Sequence, residues 1–424
     1  MRRQHKGRRR VVRLGFHDSE RAIRCLLILA LAGLAWFPAS AGDRASSSCT
    51  FAAPDAAHAG NGCARAWFDA NLRINDIQTV GTAESYKLPL SPGMLSLIAG
   101  QSHKDADALD FGEPLLDQQL DAGARSLEFD IAYDPKGGLF ANPAGAAMAD
   151  EMLDPAYVTA MSRPGFKVIH VPDVDYHSTC PVLTACLRQI AAWSQRYPDH
   201  VPIVIALKTD DERTPMPGAT EPLAFDAAAF DALDAEILSI FHRHNIITPD
   251  DVQDGYPTLR AAVLAGHWPL LGASRGKVIF LLNDSPAKVA LYRGQRKSLE
   301  GRVLFIATDE KSPAAAFINI PHPVRDAARI TADVKTGFMV RTRADADTRE
   351  ARRNQTQRRD WALASGAQIV ATDFITADPK IGGYAVHLPG GHGAVCDAVL
   401  LAQRCGGWSL EPDSDPASIT ARMK

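Results

Sequence analysis

Short apolar runs rich in β-branched residues recur along the chain at Ile77–Val80, Ser126–Tyr133, Lys167–Val171, Ile203–Leu207, Lys277–Leu282, Val303–Ala307, Phe338–Thr342 and Gln368–Thr372. Most are continuous rather than alternating, the pattern of strands covered on both faces. Helical spacing falls between them. Leu183, Leu187, Ile190 and Trp193 share one face of Val182–Tyr197, with Pro198 as the stop. Leu233, Ile237 and Phe241 line Phe230–Phe241, and Arg349–Ser365 reads as a third helix ended by Gly366. Strands alternating with helices imply a parallel sheet. Eight of them predict an α/β fold of the (β/α)8 TIM-barrel type, one domain with loop insertions at 141–149 and 212–229. An open doubly wound sheet is the alternative, but no G-x-G-x-x-G follows the first strand.

Charge and hydropathy set the first 41 residues apart. The chain has 46 Lys/Arg and 49 Asp/Glu, of which nine basic and two acidic residues lie in 1–24. The uncharged run Cys25–Phe37 follows, then Ala39-Ser-Ala41. A basic stretch, a short apolar core and a small-x-small site predict a secretory signal over 1–41, with 42–424 as the exported domain, secreted or periplasmic. The remainder holds 37 basic and 47 acidic residues, a net charge of −10, which argues against a nucleic-acid partner. Its six cysteines suit an oxidising compartment, and the short-range pairs 49–63, 180–186 and 396–405 are the economical pairing, other connectivities remaining open.

Polar groups gather where a barrel of this kind carries its chemistry, at the C-terminal strand ends. In order they are Ala83-Glu84, Glu128 and Asp130, His170 with Asp173, Asp175 and His177, Lys208 with Asp210 and Asp211, Asn283, Thr308-Asp309, Arg341 and Arg343, and Asp373. Glu128 and Asp130 alternate with Phe129 and so share the interior face. Two buried carboxylates need a cation, a proton or donors. Arg125 or Lys208 could serve as a plain ion-pair partner. His170 reads equally as a packed core histidine, and Arg341 with Arg343 as a surface ion pair.

These residues carry a resemblance. Ile77-Gln-Thr-Val-Gly-Thr-Ala-Glu-Ser-Tyr86 resembles the first-strand motif G-T-H-N-S-Y of the phosphatidylinositol-specific phospholipases C, and Leu127-Glu-Phe-Asp130 resembles their L-E-x-D. Phe166-Lys-Val-Ile-His170 is similar to the strand bearing their second histidine. The bacterial calcium-dependent phosphoinositide phospholipase C group is the closest likeness. It extends through Gly165–Asp175, Thr179-Cys-Pro181, Arg275–Phe280, Val340–Asp345 and Ser365–Asp373. The resemblance implies a phosphodiesterase with a two-histidine cleavage. One histidine deprotonates the attacking inositol hydroxyl, and the second protonates the leaving diacylglycerol oxygen. It also implies calcium held by an Asn and carboxylates. It makes His170 the general acid and Glu128 and Asp130 the metal carboxylates; from their place at the strand ends, Arg341, Arg343 and Asp373 are the candidates for binding substrate.

The chain departs from that pattern where it matters most. Ala83 replaces the first histidine, Glu84 the neighbouring Asn, and Lys208 the carboxylate expected near the end of the fourth strand. A lysine there could fill the place of the cation and neutralise Glu84, Glu128 and Asp130, so no cofactor is expected although calcium is the family's own. Three readings follow. One is an active phosphodiesterase acting on a phospholipid or related phosphodiester, with Glu84 or a loop residue such as His103 replacing the base. The others are an inactive binding protein that keeps the pocket and a glycerophosphodiester-type hydrolase. Peripheral membrane contact is left open by seven arginines within Arg341–Arg359.

Overall fold

The computed structural model describes residues 61–401 and 409–411, with the side chains of 61–63 excepted. The predicted signal segment lies outside them. Ten strands are described: β1 Ile77–Thr82, β2 Ala124–Ala132, β3 Lys167–Val168, β4 Ile203–Thr209, β5 Val278–Leu282, β6 Phe305–Ile306, β7 Phe317–Asn319, β8 Met339–Arg343, β9 Ile369–Thr372 and β10 Ala394–Cys396. Eight run parallel in the order β6-β5-β4-β2-β1-β9-β8-β7. The parallel bridge Ala307–Phe317 joins the two ends of this order. The result is the expected (β/α)8 barrel.

Two strand assignments need correction. The run Lys167–Val171 is not a barrel strand. Only Lys167–Val168 pairs, antiparallel, with the end of β2, while β2 pairs directly with β4. The eighth barrel strand is Phe317–Asn319, which is too short for its apolar pattern to register. The predicted helix Arg349–Ser365 is two helices, Arg349–Arg352 and Gln357–Ala364, separated by a turn in which Asn354 has φ +47°. The helix Leu183–Arg196 forms as predicted and buries Leu183, Leu187, Ile190 and Trp193 against the barrel wall.

The opposite end of the barrel is closed by the C-terminal segment. β10 pairs antiparallel with the first half of β1, and Glu411 receives both the Nε and Nη2 donors of buried Arg125, at 2.8 and 2.5 Å. Arg125 therefore serves this closure and is no partner for Glu128 or Asp130. Cys180 and Cys186 form a disulfide and Cys396 is also disulfide-bonded. Cys49, Cys405 and the Cys63 side chain lie outside the described residues. Among those described, no helix is long and apolar enough to cross a membrane.

Candidate active site

The turn after β1 builds one wall of the barrel mouth. Gly81 sits so close to β2 that a Cβ there would collide with Ser126 O and Cβ. Beyond it, Ser85 N donates to Glu128 O at 3.0 Å and Ser85 Oγ accepts from Glu128 N at 2.8 Å. Gln119 ties the turn from behind through Thr82 Oγ1 and Ser85 O, both at 2.6 Å. Pinned on both sides, the chain turns at Glu84 with φ +50°, a left-handed conformation rarely adopted outside glycine and Asn/Asp. Ala83 is buried and donates its backbone N–H to Thr372 O.

Glu84 Oε1 lies 3.3 Å from Nε2 of His170. The other ring nitrogen, Nδ1, lies 2.8 Å from Asp175 Oδ2, and the same oxygen lies 2.9 Å from Lys87 Nζ. His170 thus bridges two carboxylates. Burial works against its charged form, but Glu84, Asp175 and Asp130 outweigh it and raise the imidazole to about 9. His170 is no inert core histidine, because one ring nitrogen faces a partly exposed carboxylate at the mouth.

The interior faces of β2, β4 and β8 and the end of β9 carry the remaining charges. Glu128 is bound by the buried guanidinium of Arg341, whose Nη1 also lies 3.5 Å from Asn319 Oδ1. Asp130 and Lys208 are register neighbours on β2 and β4, and Lys208 Nζ lies 3.4 Å from Asp130 Oδ2. Lys208 is the one exposed residue of its strand and turns toward the mouth, not toward the outer helices. Burial pushes Asp130 up to about 7 against the pull of Lys208 and His170, with Glu84 and Glu128 adding to the rise. Arg343 Nη2 donates to Asp373 at 2.5 Å. Burial and the charges of Asp345, Glu84 and Glu128 still lift Asp373 to about 8 against that guanidinium. Arg341 and Arg343 are therefore not a surface ion pair. Each neutralises a carboxylate inside the barrel.

The residues singled out from the sequence as His170, Glu84, Lys208, Arg341, Arg343, Asp373, Glu128 and Asp130 thus meet at one end of the barrel. Lys208 neutralises Asp130, as expected, but Arg341, not Lys208, takes Glu128. His103 opens the exposed helix His103–Leu109. Three further residues of the site are not among those singled out. Lys87 is one. Asp345 is another: its carboxylate accepts from Asp373 N, Thr372 Oγ1 and Tyr384 OH and so fixes the end of β9. Glu113 is the third, a buried carboxyl raised well above its usual range by burial and by Asp373, Asp345 and Glu84. Lys87 and Glu113 lie in segments without strand or helix periodicity, whereas Asp345 closes the Val340–Asp345 stretch already noted for its family likeness.

Several buried polar atoms at this end have no protein partner: Glu84 Oε2, Glu113 Oε1, Tyr86 OH, and the Nε donors of Arg341 and Arg343. Unpaired donors and acceptors together suit a ligand with both acidic oxygens and hydroxyls. Calcium does not suit this donor set. The ion takes about six to eight oxygens, whereas Glu84, Glu128 and Asp130 each already hold a basic partner. Among the described residues no group of three or more His, Cys, Asp or Glu side chains is arranged to hold a metal ion.

A family model, "Phosphoinositide phospholipase C, Ca2+-dependent", matches residues 72–398. The chain belongs to that family. Among solved structures it is similar to a calcium-dependent phosphoinositol-specific phospholipase C of a Gram-negative Pseudomonas sp. The identity is 16%, the match covers 78% of this chain and 96% of that one, and the TM-score is 0.45. A calcium-dependent phosphatidylinositol-specific phospholipase C of Streptomyces antibioticus matches at 15% identity over 72% and 95% of the two chains, with TM-score 0.44. A glycerophosphoryl diester phosphodiesterase of Parabacteroides distasonis matches at 9% identity over 74% and 87%, with TM-score 0.33. No curated protein matches the sequence.

Proposed function

We propose that this member of the calcium-dependent phosphoinositide phospholipase C family is an exported phosphodiesterase that cleaves phosphatidylinositol or a related phosphodiester without calcium. The observation that carries the reading is His170, held cationic between Glu84 and Asp175 at a mouth lined by Lys208, Arg341 and Arg343. In this reading His170 protonates the leaving oxygen through Nε2. Lys208 and the free Nε donors of Arg341 and Arg343 receive the phosphoryl oxygens and offset the charge that grows on them. Asp373, held by Arg343 and Asp345, faces the substrate hydroxyls. Glu84 accepts the proton of the attacking hydroxyl in place of the histidine lost at Ala83. Glu128 and Asp130 hold Arg341 and Lys208 in place and coordinate nothing.

Residues 1–41 act as the export signal, and 42–424 form the single secreted or periplasmic domain. Lipid contact falls to the segments beyond β1 and β2, where Leu97, Met148 and Met152 are exposed. Ala83 favours a second reading, a protein that binds the same ligands without turnover. Assay of the mature protein on phosphatidylinositol and on glycerophosphoinositol, each with calcium and with chelator, separates these. Cleavage of the lipid unaffected by chelator is expected. Binding without cleavage would establish the second reading, cleavage of glycerophosphoinositol alone a glycerophosphodiester hydrolase, and loss of activity with chelator would sink metal independence.

A further inference from the structure

We infer that Lys87 is a positioning residue for His170, acting through Asp175. The inference rests on the acid role proposed for His170 and deepens it. Lys87 and Asp175 are both fully buried, and Asp175 Oδ2 stands between Lys87 Nζ at 2.9 Å and His170 Nδ1 at 2.8 Å. The ring of Phe111 lies 5.0 Å from the same ammonium. A lysine is seldom buried to this degree unless paired, and desolvating both ions is costly. Packing alone does not explain the pair, since an apolar residue would fill the space without that cost.

The main chain holds both ends of the pair. Thr179 N donates to Tyr86 O at 2.8 Å, and Lys87 and Ser178 form an antiparallel bridge. On the other side His170 N and Val171 N both donate to Asp175 O, at 3.2 and 3.1 Å. Lys87 therefore sits on the turn that carries Glu84 and reaches across to the loop that carries His170.

A general acid loses one proton and must keep the other. Once His170 has given its Nε2 proton away, Asp175 faces a neutral ring. A buried carboxylate with no other cation would instead have drawn the Nδ1 proton from the cationic ring beforehand, which leaves Asp175 neutral and the ring's one proton on Nε2, the wrong tautomer. Lys87 keeps Asp175 charged and accepting throughout, so Nδ1–H stays on the Asp175 side and Nε2 remains the nitrogen that exchanges protons with the substrate. Asp175 Oδ1 has no partner, so all of this falls on Oδ2.

The test uses full-length mature protein labelled with ¹⁵N-histidine, with His170 assigned by the missing signal in His170→Ala. Above the ring's titration, the unsubstituted protein should show Nδ1 protonated and Nε2 bare. Lys87→Met should shift the ring toward the Nε2–H form, and Lys87→Arg should restore the original signature. In turnover, Lys87→Met should lower kcat by about 10- to 100-fold, the span for groups that orient a functional histidine, with KM within about twofold. Added to Asp175→Asn it should cost nothing more, as a shared route requires. If Lys87→Met does not fold, Lys87→Gln takes its place in every comparison. An unchanged tautomer, or a Lys87 effect that adds in full to that of Asp175→Asn, would overturn the inference. The ring signals need no turnover. A protein that proves inactive, or an active His170→Ala, defeats the catalytic reading while the Lys87 result stands by itself.

Discussion

A histidine raised to about 9 is protonated across the neutral range, as a proton donor to a leaving oxygen must be. Activity should therefore fall as pH rises through about 9. Glu84→Gln, which removes the mouth-side carboxylate, should lower the pH at which the His170 ring titrates, read from its ¹⁵N signals without turnover. The same shift bears on stability. The folded value lies above the unfolded one of about 6.5, so the stabilisation is complete below that value and is lost as pH climbs through about 9. His170→Ala should cut turnover by about 10²–10⁴-fold, and a much smaller loss would reduce His170 to packing. Calcium is a second residue-scale matter. At about 4 Å a unit charge repels a divalent ion by roughly 8 kcal/mol at an effective dielectric near 20. Solvent lowers this at Lys208, whose side chain is 50% exposed. Calorimetry should find no micromolar calcium binding in the unsubstituted protein, and Lys208→Glu combined with Glu84→Asn should create it. The residues of this site were legible because strand ends are where a barrel places its chemistry. Their pairing was not. Glu128 finds Arg341 across the barrel interior, a contact no spacing along the chain encodes.

Barrel strands were visible where apolar runs are long, and the errors fall where runs are short or local. Phe317–Asn319 is a strand because Ala307, β8 and the closing barrel demand one there. Lys167–Val171, which reads as a strand, pairs only at its first two residues and antiparallel, because β4 already occupies the flank of β2. At Gly81 the crowding of β1 against β2 shapes the mouth. Gly81→Ala must push Ser126 away, and because the obstacle is backbone the loss of stability should reach at least the 1–3 kcal/mol typical of overpacking. It should also disturb the Glu84 turn, so a fall in activity larger than the fall in folded fraction is expected. At the far end, Glu411→Ala would strand the buried Arg125 guanidinium and remove the acceptor of Val201 N. Removing one partner of a buried pair costs about 3–5 kcal/mol. Chemical denaturation should show a loss of that order, with the His170 ring signals of the folded protein unchanged, because the Arg125–Glu411 pair makes no contact with that group.

At the scale of the whole molecule, net charge was countable in advance but its disposition was not. The arginine-rich stretch that could have drawn the protein to anionic lipid is largely spent internally. Arg341 and Arg343 face the barrel interior, Arg352 binds Asp110 and the carbonyl of Asp107, Arg358 binds Glu350, and Arg359 binds Asp360 and the carbonyl of Ala385. By composition the chain beyond residue 41 holds ten more acidic than basic residues. The exposed apolar residues lie elsewhere. Met152 is 94% and Met148 51% exposed in the segment after β2, and Leu97 is 37% exposed in the helix after β1. Asp150, Glu151 and Asp154 flank Met152. Any adsorption to lipid must therefore come from burying apolar side chains, at about 25 cal/mol per Å² removed from water, against a repulsion that anionic headgroups would increase. Sedimentation with phosphatidylcholine vesicles should show weak binding that changes little with salt. Adding phosphatidylserine should loosen it, and Met152→Ser should weaken it on both vesicles. Binding that tightens with phosphatidylserine and dissolves in salt would instead place a basic docking face on a protein in which most arginines of 341–359 are held by carboxylates and carbonyls of the same chain.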